Sequence, residues 1–177
     1  MKYTIVTLFS GKAGEYQQNL LYSIAERFYT KKGIKTKPPA HVTLKYSFNT
    51  ENINIVEEYI KRFCETHKKC NYQLNNINRF SNKAIFIDVF PSEEMKKMYV
   101  DFIKYLKKNT NIYFRELDGR VHFHSTLAYN DIGDKFEEMW LEVSKEKPDF
   151  RVVLDNITIL KFEDEIWKVH KEFYLSE

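Results

Sequence analysis

The chain has 177 residues, a mass of 21.3 kDa and a formal charge of +3, a size that suits a single domain or two closely packed lobes. Hydrophobic residues make up 43% of it, and only five glycines and four prolines occur, which excludes the disordered and fibrous classes. The charge suits an anionic ligand but is smaller than that of a dedicated nucleic-acid-binding protein.

The chain lacks the long apolar segments that membrane insertion or secretion requires. No apolar run approaches the roughly 20 residues of a transmembrane helix. The first residues, MKYTIVTLFSGKAGEY, become polar too early for a secretory signal. We therefore expect a soluble cytoplasmic protein without membrane contact, most simply a monomer, that folds as one domain over residues 1–177.

The first part of the chain is predicted to form a strand, a helix and a second strand. β-Branched and aromatic residues predict a strand over 2–9. Apolar side chains at i, i+3 and i+4 spacing predict a helix over 15–29, with Gly33 as its C-terminal stop. The prolines of 37–40 lack an N–H and cannot continue a helix, so this segment leads into a strand over 41–48.

The middle of the chain is predicted to contain a hairpin between two helices. Helical periodicity returns over 54–67. Two strands follow, at 72–80 and 84–90, and the polar residues 81–83 between them favour a hairpin turn. A helix then extends over 92–108, because Ser92 and the two glutamates after it supply an N-cap and first-turn acids.

The last part of the chain is predicted to be mainly strand. Residues 122–129 form a strand and 135–144 a helix. Residues 150–162 and 166–175 then form a closing antiparallel pair around the acidic turn 163–165. The resulting order, β-α-β-α-β-β-α-β-α-β-β, favours an α+β fold with antiparallel or mixed sheets.

One hexapeptide pattern occurs twice. Residues 41–46 are His-Val-Thr-Leu-Lys-Tyr and residues 124–129 are His-Ser-Thr-Leu-Ala-Tyr, so both copies have the form H-x-T-L-x-Y. Chance seldom produces this match in a short chain, because two of the shared residues are not hydrophobic. The repeat indicates a duplicated half-domain.

Strand alternation gives the repeat a chemical meaning. Side chains at i and i+2 share one face of a strand, so His41 lies beside Thr43 and His124 beside Thr126. The opposite face, under the helices, is expected to hold Val42, Leu44 and Tyr46 of the first strand and Phe123, Leu127 and Tyr129 of the second. Two such strands, related by a pseudo-two-fold axis, would present two imidazoles and two hydroxyls to one anionic substrate.

Two histidines facing one phosphate suit acid–base catalysis of phosphodiester chemistry. The unperturbed imidazole pKa of about 6.5 allows one copy to be neutral and the other protonated near neutral pH. One then accepts a proton from water or a hydroxyl while the other donates a proton to the leaving oxygen. Each such transfer typically contributes about 10²–10⁴-fold.

The paired motifs resemble the signature of the two-histidine (2H) phosphoesterase superfamily, which includes 2'-5' RNA ligases and cyclic phosphodiesterases. The resemblance implies a bilobal α+β fold with two pseudo-symmetric sheets, helices on their outer faces and a central cleft, without an obligatory metal or cofactor. The implied substrates are RNA 2',3'-cyclic phosphate ends, 2'-5' linkages or small cyclic nucleotides. His41 and His124 would be the catalytic pair, and Thr43 and Thr126 would bind phosphate.

The chain departs from the family just after the second motif, where relatives often carry an arginine that contacts phosphate. Ala128 and Tyr129 stand there instead. Lys45, on the predicted face of His41, and Arg120, ahead of the second strand, are candidate replacements. His122 is a further candidate substrate contact, because it shares a strand face with His124.

Three alternative functions use the same residues. The two histidines can join RNA 2'-5' ends instead of cleaving, since the reverse reaction needs the same proton transfers. The cleft can also bind RNA without catalysis, although intact motifs argue against this. A metal hydrolase built on His41, His122 and His124 is the third alternative, disfavoured because no Cys, Asp or Glu stands nearby at ligand spacing.

Several aromatic residues have two interpretations. Tyr46, Phe80, Tyr113 and Phe114 can stack nucleobases, as in readers of single-stranded RNA. In so aromatic a chain we expect each of them to pack in the core instead.

Overall fold

The computed structural model describes residues 1–30, 38–130 and 132–177. The strands within them are β1 (Lys2–Leu8), β2 (His41–Asn49), β3 (Cys70–Phe80), β4 (Ala84–Pro91), β5 (Phe123–Tyr129), β6 (Asp149–Leu154), β7 (Asn156–Glu163) and β8 (Ile166–Tyr174). The helices are α1 (Gly11–Arg27), α2 (Ile53–Thr66), α3 (Glu93–Asn109) and α4 (Phe136–Val143), with a 3-10 turn at Gly133–Lys135. The predicted helix stop at Gly33 lies outside the described residues.

The strands form two four-stranded antiparallel sheets with the orders β2-β1-β7-β8 and β5-β4-β3-β6. Helix α2 packs on β8 and β7 of the first sheet, and α3 packs on β3 and β4 of the second. The two helices also contact each other, and α1 lies against β5. The expected bilobal α+β fold is therefore confirmed. Among the residues described, no helix is long and apolar enough to cross a membrane.

Helix α3 shows how local chemistry sets the boundaries of an element. The Ser92 hydroxyl accepts a hydrogen bond from the Met95 amide at 3.2 Å and so satisfies one of the free N–H groups of the first turn. Two glutamates occupy that turn and two lysines the last turn, which complements the helix dipole. The predicted cap at Ser92 is confirmed.

The predicted strand over 150–162 is wrong, because the chain changes sheets within it. Residues up to Leu154 pair with β3 in the second sheet, whereas those from Asn156 pair with β1 in the first. The Asn156 side chain stabilises the crossing: its amide donates to the Leu8 carbonyl and its oxygen accepts from the Leu8 amide, each at 2.9 Å. The polar pair Asp155–Asn156 inside an apolar run was the sequence signal for this break.

Candidate active site

The two motif strands are corresponding edge strands. Strand β2 forms one edge of the first sheet and β5 one edge of the second, and these two edges contact each other. Both motifs therefore reach one cleft, a cavity of about 360 Å³ lined by His41, Thr43, His124 and Thr126. The structure thus brings together the four residues predicted to form the site.

Each motif strand contains a β-bulge at its leucine. In β2, Thr43 pairs with Val6 and Lys45 with Ile5, so Leu44 is the extra residue. In β5, Thr126 pairs with Phe86 and Ala128 with Ile85, so Leu127 is the extra residue. A bulge shifts the strand alternation by one position. The two lobes therefore share the β-bulge at the equivalent position, and both leucines are buried.

The bulges reverse the predicted faces of the residues after the leucines. Tyr46 and Tyr129 line the cleft, although regular alternation placed them under the helices. Lys45 is fully buried outside the cleft lining, and Ala128 is buried although it also borders the cleft. The prediction that the tyrosines face away from the histidines is therefore wrong, and the physical reason is the extra residue in each strand.

Lys45, a candidate phosphate contact, does not line the cleft. Its side chain is fully buried and pairs with the equally buried Asp118 carboxylate at 2.9 Å, and its ammonium also donates to the Tyr46 carbonyl. Asp118 further accepts hydrogen bonds from the Tyr46 amide at 3.0 Å and the Arg115 amide at 2.6 Å. The pair thus ties the segment before β5 to β2 and takes Lys45 out of the cleft.

His41 is held in one orientation by backbone. Its Nδ1 lies 2.7 Å from the Pro39 carbonyl, which can only accept, so Nδ1 carries the proton and Nε2 is left for substrate. Burial lowers the pKa of His41, and the Pro39 carbonyl opposes this by stabilising the charged form. The imidazole is therefore mainly neutral near pH 7 in the free protein.

His124 lies among aromatic rings. The ring centroids of Phe80 and Phe86 are 5.2 and 5.0 Å from that of the imidazole. Burial is the main cause that lowers the pKa of His124 to about 4; the charge of His122 lowers it further, the His122 backbone raises it and His41 lowers it. Buried Nδ1 has no partner with full hydrogen-bond geometry among the described residues. In the free cleft this imidazole is therefore mainly neutral at pH 7.

Helix α1 connects the two motifs. Its buried Gln17 donates from Nε2 to the Thr126 carbonyl at 3.0 Å. The neighbouring Gln18 donates to the Gln17 side-chain oxygen at 2.8 Å and to the Pro38 carbonyl at 3.2 Å, just ahead of the first motif. Sequence reasoning missed both glutamines, since nothing in helical periodicity distinguishes a buried polar tether from a surface residue.

Arg120 and His122 lie in a second cavity of about 370 Å³ beside the first. The two cavities share Thr43, Tyr46 and His124 as lining residues. Arg120 forms an ion pair with Glu116. Both candidates are thus near His124 but outside the lining of the cavity that holds both histidines.

The four aromatic residues for which core packing was expected differ in their positions. Phe114 is partly buried against the core, as predicted. Phe80 is 41% exposed and lines the second cavity, Tyr46 lines both cavities, and Tyr113 is exposed. Core packing is therefore the wrong interpretation for these three.

The structure adds a cleft residue that sequence reasoning did not single out. Arg115, on the loop between α3 and β5, lines the cavity that holds the four motif residues. The sequence offers no signal for this role beyond the position of Arg115 a few residues ahead of the second motif. As for metal ligands, residues 1–30, 38–130 and 132–177 contain no group of three His, Cys, Asp or Glu side chains that could hold an ion.

Comparison with known proteins gives consistent matches. The model of the 2'-5' RNA ligase superfamily matches residues 17–165. A protein of Staphylococcus aureus strain JH1, which its name describes as a provisional phosphoesterase, is 23% identical over 154 residues, covering 84% of this chain and 86% of that protein.

Solved structures match over almost the whole chain. Protein TT0787 of Thermus thermophilus has a TM-score of 0.66 at 13% identity, and coverage is 99% of this chain and 98% of that one. Escherichia coli LigT complexed with 3'-AMP has a TM-score of 0.64 at 10% identity with the same coverage. These two similarities show a shared fold.

Proposed function

Because the chain belongs to the 2'-5' RNA ligase superfamily of two-histidine phosphoesterases, we propose that it is a metal-independent phosphodiesterase that uses His41 and His124 as its acid–base pair. The observation that carries the proposal is the convergence of two H-x-T motifs, from two different sheets, on one cavity. The proposed substrates are RNA 2',3'-cyclic phosphate ends, 2'-5' linkages or small cyclic nucleotides. That LigT was solved with 3'-AMP and with ATP supports a nucleotide substrate.

The proposed reaction needs one proton shared between two imidazoles. The neutral histidine removes a proton from the attacking water, a P–O bond forms, and the protonated histidine donates its proton to the leaving oxygen as the second P–O bond breaks. The pair ends with the same number of protons but with their positions exchanged. Nε2 of His41 suits proton acceptance, since Nδ1 is engaged by Pro39.

Substrate binding favours protonation of one of the two histidines. Both imidazoles are mainly neutral in the free cleft because burial lowers each pKa. A bound phosphate is an adjacent negative charge, which raises the pKa of an imidazole and so favours uptake of the one proton that the reaction needs. The threonine hydroxyls of both motifs, which line the same cavity, can donate hydrogen bonds to the non-bridging oxygens.

The test is turnover in excess chelator with a panel of 2',3'-cyclic nucleotides, RNA ending in a 2',3'-cyclic phosphate and 2'-5'-linked dinucleotides, followed by phosphorus NMR. We expect wild-type turnover that His41→Ala and His124→Ala each reduce by at least about 10²-fold. His170→Ala is the matched control, because His170 pairs with Glu57 on the surface between α2 and β8.

The possible results separate the alternatives. Retained activity in either cleft variant would contradict the two-histidine mechanism, and loss of wild-type activity in chelator would indicate a metal hydrolase. RNA binding without turnover on any substrate would favour the non-catalytic module. Ligation follows the same chemistry in reverse, so incubation of cyclic-phosphate and 5'-hydroxyl ends tests it directly.

A further inference from the structure

The loop between α3 and β5 brings one arginine to the motif cleft. Arg115 lies on this loop, and its exposed side chain lines the same cavity as His41 and His124. Among the residues that line this cavity in the described parts of the chain, Arg115 is the only lysine or arginine, and no aspartate or glutamate accompanies it. Its positive charge is thus not neutralised within the cleft lining.

The backbone of this arginine is fixed by buried groups. The Asp118 carboxylate accepts the Arg115 amide at 2.6 Å and the Tyr46 amide at 3.0 Å, and it is held in turn by Lys45. The Gly119 amide donates a hydrogen bond to the Tyr99 hydroxyl at 3.0 Å. Gly119 has a φ of 97°, a backbone conformation that residues other than glycine seldom adopt. The backbone of the loop at Arg115 is therefore held in one position.

The side chain is oriented but keeps most of its donors. One guanidinium nitrogen donates to the Ser47 hydroxyl at 3.2 Å, and the guanidinium carbon lies 5.9 Å from the Tyr46 ring centroid. Arginine has five N–H donors in a planar fork. A single bond to a neutral hydroxyl leaves donors free for the bidentate geometry that phosphate favours.

Two other cations near the motifs, both among the described residues, are already paired with carboxylates. Lys45 is buried against Asp118, and Arg120 pairs with Glu116 in the neighbouring cavity. Burial lowers the pKa of both cleft histidines, so neither supplies a permanent charge at neutral pH. Arginine side chains, in contrast, carry a permanent positive charge in proteins.

We infer that Arg115 binds the phosphate of the substrate in the motif cleft. The inference rests on the proposed function for the identity of the substrate, but it concerns a distinct property, the affinity of the cleft for a phosphate group. Among the described residues that line the cleft, Arg115 then supplies the positive charge that attracts an anion, and the bound anion favours uptake of the one proton that the reaction needs.

Inorganic phosphate is the probe, because its binding needs no turnover. Its affinity is measured at pH 7 from the shifts of the His41 and His124 imidazole signals in NMR spectra as phosphate is added. We expect Arg115→Gln to weaken phosphate binding about 10- to 100-fold, the usual effect of losing a charged hydrogen bond. Arg115→Lys should recover part of the loss, because it keeps the charge but not the fork.

Two arginine variants serve as comparisons. Arg62→Gln removes an exposed arginine on α2 that pairs with Glu58 and lies outside the cleft lining, so it should bind phosphate like the wild type. Arg120→Gln tests the competing cation of the second cavity. Thermal unfolding of each variant checks that the fold is retained, as expected for exposed side chains.

Each remaining outcome decides the inference. It is overturned if wild-type protein binds no phosphate, if Arg115→Gln changes the affinity less than two-fold, or if the loss follows Arg120→Gln instead. Phosphate binding that depends on Arg115, without turnover on any nucleotide, would leave the inference standing and refute the proposed function. If the histidine variants abolish turnover but Arg115→Gln changes neither turnover nor phosphate affinity, the proposed function stands and the inference about Arg115 is refuted.

Discussion

Removing the Phe80 ring should raise the pKa of His124. The ring stands edge-on to the imidazole, with centroids 5.2 Å apart and an interplanar angle of 87°. Because Phe80 is 41% exposed, Phe80→Ala opens the imidazole to water and does not create a sealed cavity. Phe86, at 5.0 Å from the same imidazole, remains in place, so the change is confined to one side of it.

The expected rise in the pKa of His124 can be worked out from the reason why this pKa is low. Burial is the largest cause that holds the pKa of His124 at about 4, against an ordinary value of 6.5. This gap corresponds to roughly 3 kcal/mol of preference for the neutral form. Hydrating one of two ring-covered sides should recover about one third to one half of it, which moves the pKa to about 5.

The same shift predicts a change in stability at acid pH. Between pH 4 and 6.5 the unfolded state binds a proton at this histidine that the folded state does not, so stability falls as the pH falls through this window. For the wild type the loss from this group is about 3 kcal/mol, complete near pH 4. The loss should be about 1–2 kcal/mol smaller in Phe80→Ala, measured as the pH dependence of its free energy of unfolding in urea.

The assay is an NMR titration of the imidazole C–H signals from about pH 3.5 to 8, with the His124 signal assigned from its absence in His124→Asn. Phe90→Ala is the matched control, an exposed phenylalanine that lines neither cavity. A wild-type midpoint near the ordinary value of about 6.5, or a midpoint that Phe80→Ala leaves unchanged, would refute the reasoning that aromatic burial keeps His124 neutral.

Two further substitutions test the groups that hold the cleft together. Lys45→Met leaves the buried Asp118 carboxylate without its cation and should cost about 3–5 kcal/mol in urea unfolding; adding Asp118→Asn should recover part of this, and an additive double variant would contradict the pairing. Gln17→Leu leaves the Thr126 carbonyl without its donor and should lower the unfolding free energy by about 1–3 kcal/mol. A thermal transition unchanged from the wild type would show that the tether contributes nothing.

Local chemistry made most of the elements predictable. The N-cap of α3 and the hairpin turn at 81–83 lie where their residue types indicate. The helices over 54–67 and 135–144 and the strands of both motifs shifted by no more than a residue or two at each end. The first helix begins earlier than predicted, at Gly11, because apolar periodicity alone defines a helix poorly in its first turn.

The duplicated motif determined, from sequence alone, which four side chains share the cleft. Two positions apart on a strand means the same face, and this spacing precedes the bulge in both copies. What the sequence could not determine lies after the leucines. An extra residue in a strand is defined by its pairing with a neighbour distant in the chain, and period-two alternation assumes that no such residue exists.

Tertiary structure therefore determined which of the cations and tyrosines near the motifs line the cleft. Lys45 looked like a ligand of phosphate because regular alternation put it beside His41, and the bulge at Leu44 turned it into the buried partner of Asp118. Arg115 lines the cleft because Asp118, the other member of that pair, binds its backbone amide. It lies on a loop, and loops have no sequence periodicity from which its position could be predicted. The histidines and threonines were predictable because their spacing is local, whereas the charge that accompanies them depends on contacts between lobes.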